Sequence, residues 1–139
     1  MNLRKAESKD IPKCITLSKI EEFVLPGNLY PDQEYFETSI EKGIFLVAEE
    51  NNEVIGLAVG FQLTKTYGFL DLLTVAESHR SKKVGESLIN TFRKEMKSKG
   101  IKSYSLISPS NNPRSVNFYR KQNLKEGEQY TLFLDDMDE

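Results

Sequence analysis

Between Phe69 and Met96 the hydrophobic period of the chain changes once, from that of a strand to that of a helix. Phe69-Leu70-Asp71-Leu72-Leu73-Thr74-Val75 is short, mainly apolar and β-branched at its end, the pattern of a largely buried strand. Val84, Leu88, Phe92 and Met96 then recur at helical spacing with Ile89 beside them, and Gly100 offers a stop. This predicts an amphipathic helix over 84–98. Arg80-Ser81-Lys82-Lys83-Val84-Gly85 joins the two, so a buried strand enters a helix through a basic turn.

Such a turn suits an anion, phosphate above all. The first N–H groups of a helix have no intrahelical acceptor, and the aligned peptide dipoles add partial positive charge there. Gly85 lets backbone approach a ligand, while Arg80, Lys82 and Lys83 contribute charge. A solvated surface turn whose lysines serve solubility has the same composition, and spacing alone leaves both readings open. It does exclude a nucleotide P-loop, which needs two glycines five apart followed by Lys-Ser or Lys-Thr, and the dinucleotide fingerprint is missing too.

The rest of the chain reads as alternating elements. A strand is expected at 2–6, then a helix from Asp10 to near Val24 with Asp10 as N-cap and Pro12 in its first turn, broken by Leu25-Pro26-Gly27-Asn28. A second helix should run from Asp32 to Lys42 and stop at Gly43. Ile44 to Glu49 and Val54 to Leu63, separated by Asn51-Asn52, predict an antiparallel hairpin. After the 84–98 helix come a strand from Ile101 to Ser108, a helix from Pro113 to Lys121 capped by Asn112, and a strand from Gln129 to Asp135. Hairpins combined with strand–helix crossovers imply an α/β chain with a mixed, mostly antiparallel sheet and helices on both faces. The acidic tail Asp135-Asp136-Met137-Asp138-Glu139 is expected to fray.

With 139 residues, neither repeat nor linker, and 38% apolar against 29% charged residues, one folded domain spanning 1–139 is expected. A net charge of −2, with basic residues concentrated only at the 80–83 turn, disfavours nucleic acid as a partner. No long apolar segment and no apolar core behind Met1-Asn2-Leu3-Arg4-Lys5 argue against a membrane and for the cytoplasm. Cys14, the single cysteine, falls on an apolar helical stripe and reads as a small buried hydrophobe. One Cys and one His, His79, without paired spacing leave no ligand set for zinc, so no metal is expected.

Val75 followed by Arg80-x-x-Lys83-x-Gly85 at a helix start resembles the acetyl-coenzyme A signature of the GNAT superfamily of N-acetyltransferases, usually Gln/Arg-x-x-Gly-x-Gly/Ala. Asn112-x-x-Ser115-x-x-Phe118-Tyr119, followed by Lys121-x-Asn123-Leu124, is similar to the family's Asn-x-x-Ala-x-x-Phe-Tyr…Gly-Phe block. Leu3-Arg4-Lys5-Ala6 with Asp10-Ile11-Pro12 resembles its first strand and helix start, so the likeness spans nearly the whole chain. Two positions depart from it. Asn123 stands where the family prefers glycine, and asparagine tolerates a left-handed C-cap. Lys83 also replaces a glycine, and its side chain either crowds a pyrophosphate or bonds it.

The resemblance implies a single-domain GNAT-like fold that transfers acetyl from acetyl-coenzyme A to an amine. On that reading Leu73, Thr74 and Val75 offer backbone groups to the pantetheine arm, and Arg80, Ser81, Lys82, Lys83, Val84, Gly85 and Glu86 form the pyrophosphate turn. Tyr119 matches the tyrosine that protonates the leaving sulfur, although a core-packed aromatic has the same pattern. Asp71, a carboxylate in an apolar strand, is the candidate base, or else an edge-facing group in water; some relatives carry a catalytic glutamate at the place of Phe69. Asn112 either bonds the pantetheine amide or only caps its helix. Family acceptors lie against regions here spanning Glu21 to Tyr35 and Gly127 to Tyr130. Glu21, Glu22, Asp32, Glu34, Glu126 and Glu128 make these acidic, which favours a cationic amine. A short segment after Leu124 fits a peptide or protein acceptor in a more open groove, and monomer and homodimer both remain open. The competing class is a non-catalytic acetyl-coenzyme A-binding or regulatory module, for which Lys83 is the support.

Overall fold

The computed structural model describes residues 1–20, 30–135 and 137. The chain divides into two compact units, Met1–Ile107 and Ser108–Glu139. The first is built on a five-stranded sheet in the order β1 (Asn2–Lys5), β2 (Ile44–Glu50), β3 (Glu53–Gln62), β4 (Tyr67–Val75) and β5 (Ser103–Ser105). β1 to β4 are antiparallel neighbours and β5 joins β4 in parallel, so the sheet is mixed and mostly antiparallel, as expected. Among the described residues, three α-helices flank it: α1 (Ile11–Leu17), α2 (Gln33–Lys42) and α3 (Val84–Ser98).

These helices cover both faces. Phe45, Val47, Leu57, Val59 and Leu72 of the sheet pack with Ile11 and Cys14 of α1 and Phe36 of α2. On the other face α3 comes so near β3 that a Cβ built on Gly60 would lie 2.3 Å from Phe92 Cζ, and one on Gly56 would lie 3.0 Å from Leu88 Cδ1. Two glycines in β3 therefore let the helix lie against bare backbone. The β2–β3 hairpin turns through Asn51 and Asn52 at φ 52° and 64°, the left-handed pair that matches the strand twist. Asp32 caps α2, accepting from the Tyr35 N–H at 2.9 Å, and the helix ends before Gly43 as its sequence implies.

Four expectations are corrected. α1 ends at Leu17, short of Val24, with Ser18 as its C-cap, where the Ser18 Oγ donates to the Cys14 carbonyl at 2.8 Å. The part of the expected helix over 21–24 and the break at Leu25-Pro26-Gly27-Asn28 lie outside the described residues. Asp10 holds the N-cap position of α1, but its carboxylate accepts from Arg4 Nη1 and Nη2 at 2.8 and 2.9 Å and from the Glu7 N–H at 2.7 Å, not from the helix. The strand expected from Ile101 to Ser108 shrinks to Ser103–Ser105, the three residues that pair with β4. Gln129 to Asp135 is no strand: Tyr130, Leu132, Phe133 and Leu134 are all exposed, and alternation without a partner edge leaves backbone groups to water. Among the described residues no helix is long and apolar enough to cross a membrane.

Candidate active site

The register of β3 against β4 slips once. Val59 faces Leu72 and Gly60 faces Leu70, so Asp71 is an extra residue on β4, a β-bulge. The slip changes which face each side chain takes: Leu70 shares the α3 face with Gly60, whereas Leu72, two residues on, joins the α1–α2 core. Asp71 itself is exposed, not buried in the apolar strand around it. Its Oδ2 accepts a hydrogen bond from the Tyr35 phenol of α2 at 2.6 Å. Burial, and then that bond, push the Tyr35 phenol far above its ordinary value, so it stays protonated and donates. Tyr35 was not singled out by sequence, since nothing local links residues 36 apart; its one sign is a place in the first turn of α2.

β4 pairs with β5 only at Tyr67, Gly68 and Phe69. From Leu70 to Val75 its outer edge carries no strand among the described residues, although its inner edge stays paired with β3 as far as Val75. Leu73, Thr74 and Val75 thus lie on an open edge whose backbone groups can take an extended ligand. Thr74 is buried, while Leu73 and Val75 are half-buried.

The turn after Val75 is pinned at both sides. The Ala76 N–H donates to the Ile55 carbonyl at 2.7 Å, and His79 Nε2 lies 3.3 Å from Glu50 Oε2. Arg80 is engaged locally, its Nε donating to the Val75 carbonyl at 3.2 Å, so its first task is to hold the turn against the strand end. Ser81 and Lys83 are both left-handed, φ 67° and 64°, and Lys83 is the N-cap of α3. Left-handed residues leading into a helix turn successive N–H groups toward one point, a concavity that binds anions. Lys82 and Lys83 are exposed beside it, followed by buried Val84 and half-buried Gly85 and Glu86. The Glu86 carboxylate would compete with an anion for the same helix end, so only its N–H suits that role.

The remaining candidates lie in the second unit, on α4 (Pro113–Lys121). Asn112 Oδ1 accepts from the Ser115 N–H at 3.2 Å, the cap role, and Ser115 Oγ is 2.7 Å from Ser108 Oγ. Tyr119 is half-buried and meets Phe118 edge to face at 5.2 Å. Asn123 is left-handed at φ 63°, the Leu124 N–H donates to the Tyr119 carbonyl and the Asn123 N–H to the Arg120 carbonyl, closing α4 with the cap a glycine would give. Of the acidic residues expected to attract a cation, Asp32 is used as a cap and Glu126 is held by Arg120 at 2.9 Å. Glu21 and Glu22 lie outside the described residues.

The sequence model of the acetyltransferase (GNAT) family matches residues 15–124, well over half of the chain. The chain belongs to the GNAT family of acetyltransferases. An aminoglycoside acetyltransferase from an uncultured soil metagenomic sample, solved with trehalose, is 19% identical with a TM-score of 0.76, covering 98% of this chain and 95% of its own. The N-acetyltransferase PaiA of Thermoplasma acidophilum, solved with coenzyme A, is 21% identical with a TM-score of 0.75 over 86% of each chain. A structure described as a transcriptional regulator of Bacillus halodurans is 16% identical with a TM-score of 0.80, covering 96% of this chain and 99% of its own. At these identities the likeness shows a shared fold. No curated protein matches the chain significantly.

Proposed function

We propose that residues 1–139 act as one N-acetyltransferase domain that passes the acetyl group of acetyl-coenzyme A directly to a primary amine, whether a small amine, a lysine side chain or a peptide N-terminus. The observation that carries this reading is the open outer edge of β4 from Leu70 to Val75, running into a turn with two left-handed residues at the start of α3. An extended pantetheine arm and a pyrophosphate need those two features in that order. The residues therefore fit the coenzyme, and the coenzyme-bound state of the similar PaiA structure supports the same choice.

When bound, the coenzyme supplies a thioester carbonyl open to attack by an amine. Leu73, Thr74 and Val75 align the arm by backbone hydrogen bonds, and a strand N–H near Val75 stabilises negative charge developing on the carbonyl oxygen, about 3 kcal/mol for one well-placed donor. Asp71 takes the proton that an ammonium loses before attack. Tyr119 gives its proton to the departing sulfur and recovers one from the nitrogen, so one proton is released in all. Ser81, Lys82, Lys83, Val84, Gly85 and Glu86 hold the pyrophosphate through backbone N–H groups and lysine charge, and Arg80, bonded to the Val75 carbonyl, braces that turn with its guanidinium beside it. The cytoplasm is the compartment proposed for this reaction.

Calorimetric titration with acetyl-coenzyme A tests the reading. The protein is expected to bind near micromolar and Gly85→Glu to abolish binding, because a carboxylate then occupies the anion site. Tyr119→Phe should keep coenzyme affinity and lower kcat in an assay of released thiol. Failure of the unmodified protein to bind the coenzyme would overturn the proposal.

A further inference from the structure

We infer that His79 is a positioning residue for the coenzyme: through Glu50 it ties the turn proposed to hold the pyrophosphate to the end of β2, and its protonation tightens that tie. Coenzyme affinity therefore rises as pH falls through the range in which a histidine becomes charged. The inference rests on the transferase reading above and adds to it a residue and a pH dependence.

The turn costs energy to hold. Ser81 and Lys83 are left-handed, φ 67° and 64°, a conformation that a residue with a Cβ keeps only where its surroundings impose it. Contacts on both sides fix the approach to them. The Ala76 N–H donates to the Ile55 carbonyl at 2.7 Å and Arg80 Nε to the Val75 carbonyl at 3.2 Å; a backbone N–H and a guanidinium keep their state across the neutral range. The contact of His79 Nε2 with Glu50 Oε2, at 3.3 Å, is of another kind, because a histidine changes charge there. His79 closes the short helical turn Glu77–His79, two residues before Ser81, and Glu50 ends β2. The contact thus crosses from the anion turn to the neighbouring hairpin.

Both ring nitrogens are engaged. Ser78 Oγ lies 2.9 Å from His79 Nδ1, and a hydroxyl donates to that nitrogen or accepts from it as the ring requires. The ring keeps its place whether neutral or charged, so titration alters only the strength of the Glu50 contact; a charge-assisted hydrogen bond is about twice as strong as a neutral one. On the hairpin side the ring also meets the field of Glu53, at the start of β3. Lys13 of α1, 2.8 Å away, holds the Glu53 carboxyl below its usual range, and His79 adds the smallest share. Glu77, Arg80, Lys82 and Lys83 share the turn with His79. A lysine in its place would tie the turn at every ordinary pH, whereas a histidine makes the tie conditional. With the His79 side chain 25% and that of Glu50 42% exposed, solvent screens the pair, and the effect is a modest factor in affinity, not a switch.

Calorimetric titration of the full chain with acetyl-coenzyme A at about pH 5.5 and about pH 8, on either side of histidine titration, tests the inference. His79→Gln keeps a neutral donor and cannot titrate. Its Kd should exceed that of the unmodified protein about threefold at the lower pH, the size of one partly exposed ion pair, and match it at the higher. Taking the ratio at each pH removes the titration of the coenzyme's own phosphate, whose second proton leaves at about pH 6. His79 is the one histidine of the chain, so its ring signals in proton NMR need no assignment. Linkage requires acetyl-coenzyme A to raise the midpoint of that ring by the factor by which protonation strengthens binding, about half a pH unit for threefold. Glu50→Gln should shrink the rise, since only the coenzyme's own charge then acts on the ring. A Kd ratio that is the same at both pH values, or a rise undiminished in Glu50→Gln, would overturn the inference and leave His79 a structural tie. If His79→Gln fails to fold, Glu50→Gln decides the matter. An unmodified protein that binds the coenzyme with a flat ratio sinks this inference alone, whereas one that binds none at either pH sinks the underlying reading and this inference with it.

Discussion

Single residues carry the strain and the buried charge of this protein. Lys83 sits where a left-handed backbone is needed, at a cost of about 1 kcal/mol or more that glycine would not incur. Lys83→Gly should raise stability in urea denaturation by about 1 kcal/mol, since the relief of strain exceeds the extra freedom of the unfolded chain. The same variant should lose any contribution of the ammonium to coenzyme binding, so stability and affinity should move in opposite directions. Asp10, almost fully buried, is held below the usual carboxylate range by the Arg4 hydrogen bonds and the Glu7 N–H, against the opposing cost of burial. A carboxyl depressed in the folded state contributes stability above its unfolded value of about 4, and that contribution fades as pH falls through the folded value. Asp10→Asn should therefore cost about 2–3 kcal/mol at pH 7 and progressively less below pH 4 in urea denaturation. Cys14, fully buried, has its thiol pushed up to about 12 by burial, then by Asp10, as suits an inert core residue.

Among the elements, the glycines of β3 set how near α3 can lie. Gly60→Ala drives a Cβ into the Phe92 ring and toward the Phe69 carbonyl, 2.8 Å away, so it should cost about 1–3 kcal/mol by thermal or urea unfolding. It should also lower coenzyme affinity, because α3 begins at the turn proposed to hold the pyrophosphate. The bounds of α2, α3 and α4 and the hairpin turn were legible in sequence because each depends on its own residues: apolar spacing, Asp32 and Asn112 at N-caps, Asn51-Asn52 at left-handed positions. The bulge at Asp71 had no such signature. Its cause is the competition between pairing with β3 and facing two different cores, and neither partner is nearby in sequence. β5 and Gln129 to Asp135 show the same limit, since a strand exists only where an edge accepts it.

Over the whole molecule, the buried hydrophobic side chains among the described residues all fall between Ile11 and Ile101, inside the first unit. Hydrogen–deuterium exchange is accordingly expected to be slowest in β2, β3 and α3 and fastest after Ser108; equal protection across the two units would contradict that distribution. The sequence by itself determined the class of the protein: a strand, a basic turn and a helix in that order, the caps and the hairpin, and motifs sufficient to place it among the GNAT acetyltransferases. All of these are written in neighbouring residues, because hydrogen bonds within a turn or helix reach only a few positions. Only the tertiary structure decided that Asp71 leaves the register, that Tyr35 reaches it, that Arg80 is spent on the Val75 carbonyl, and that among the described residues β5 pairs with β4 no further than Phe69. Each of these depends on how side chains and strand edges meet across the fold, where chain distance carries no information and packing selects the partner.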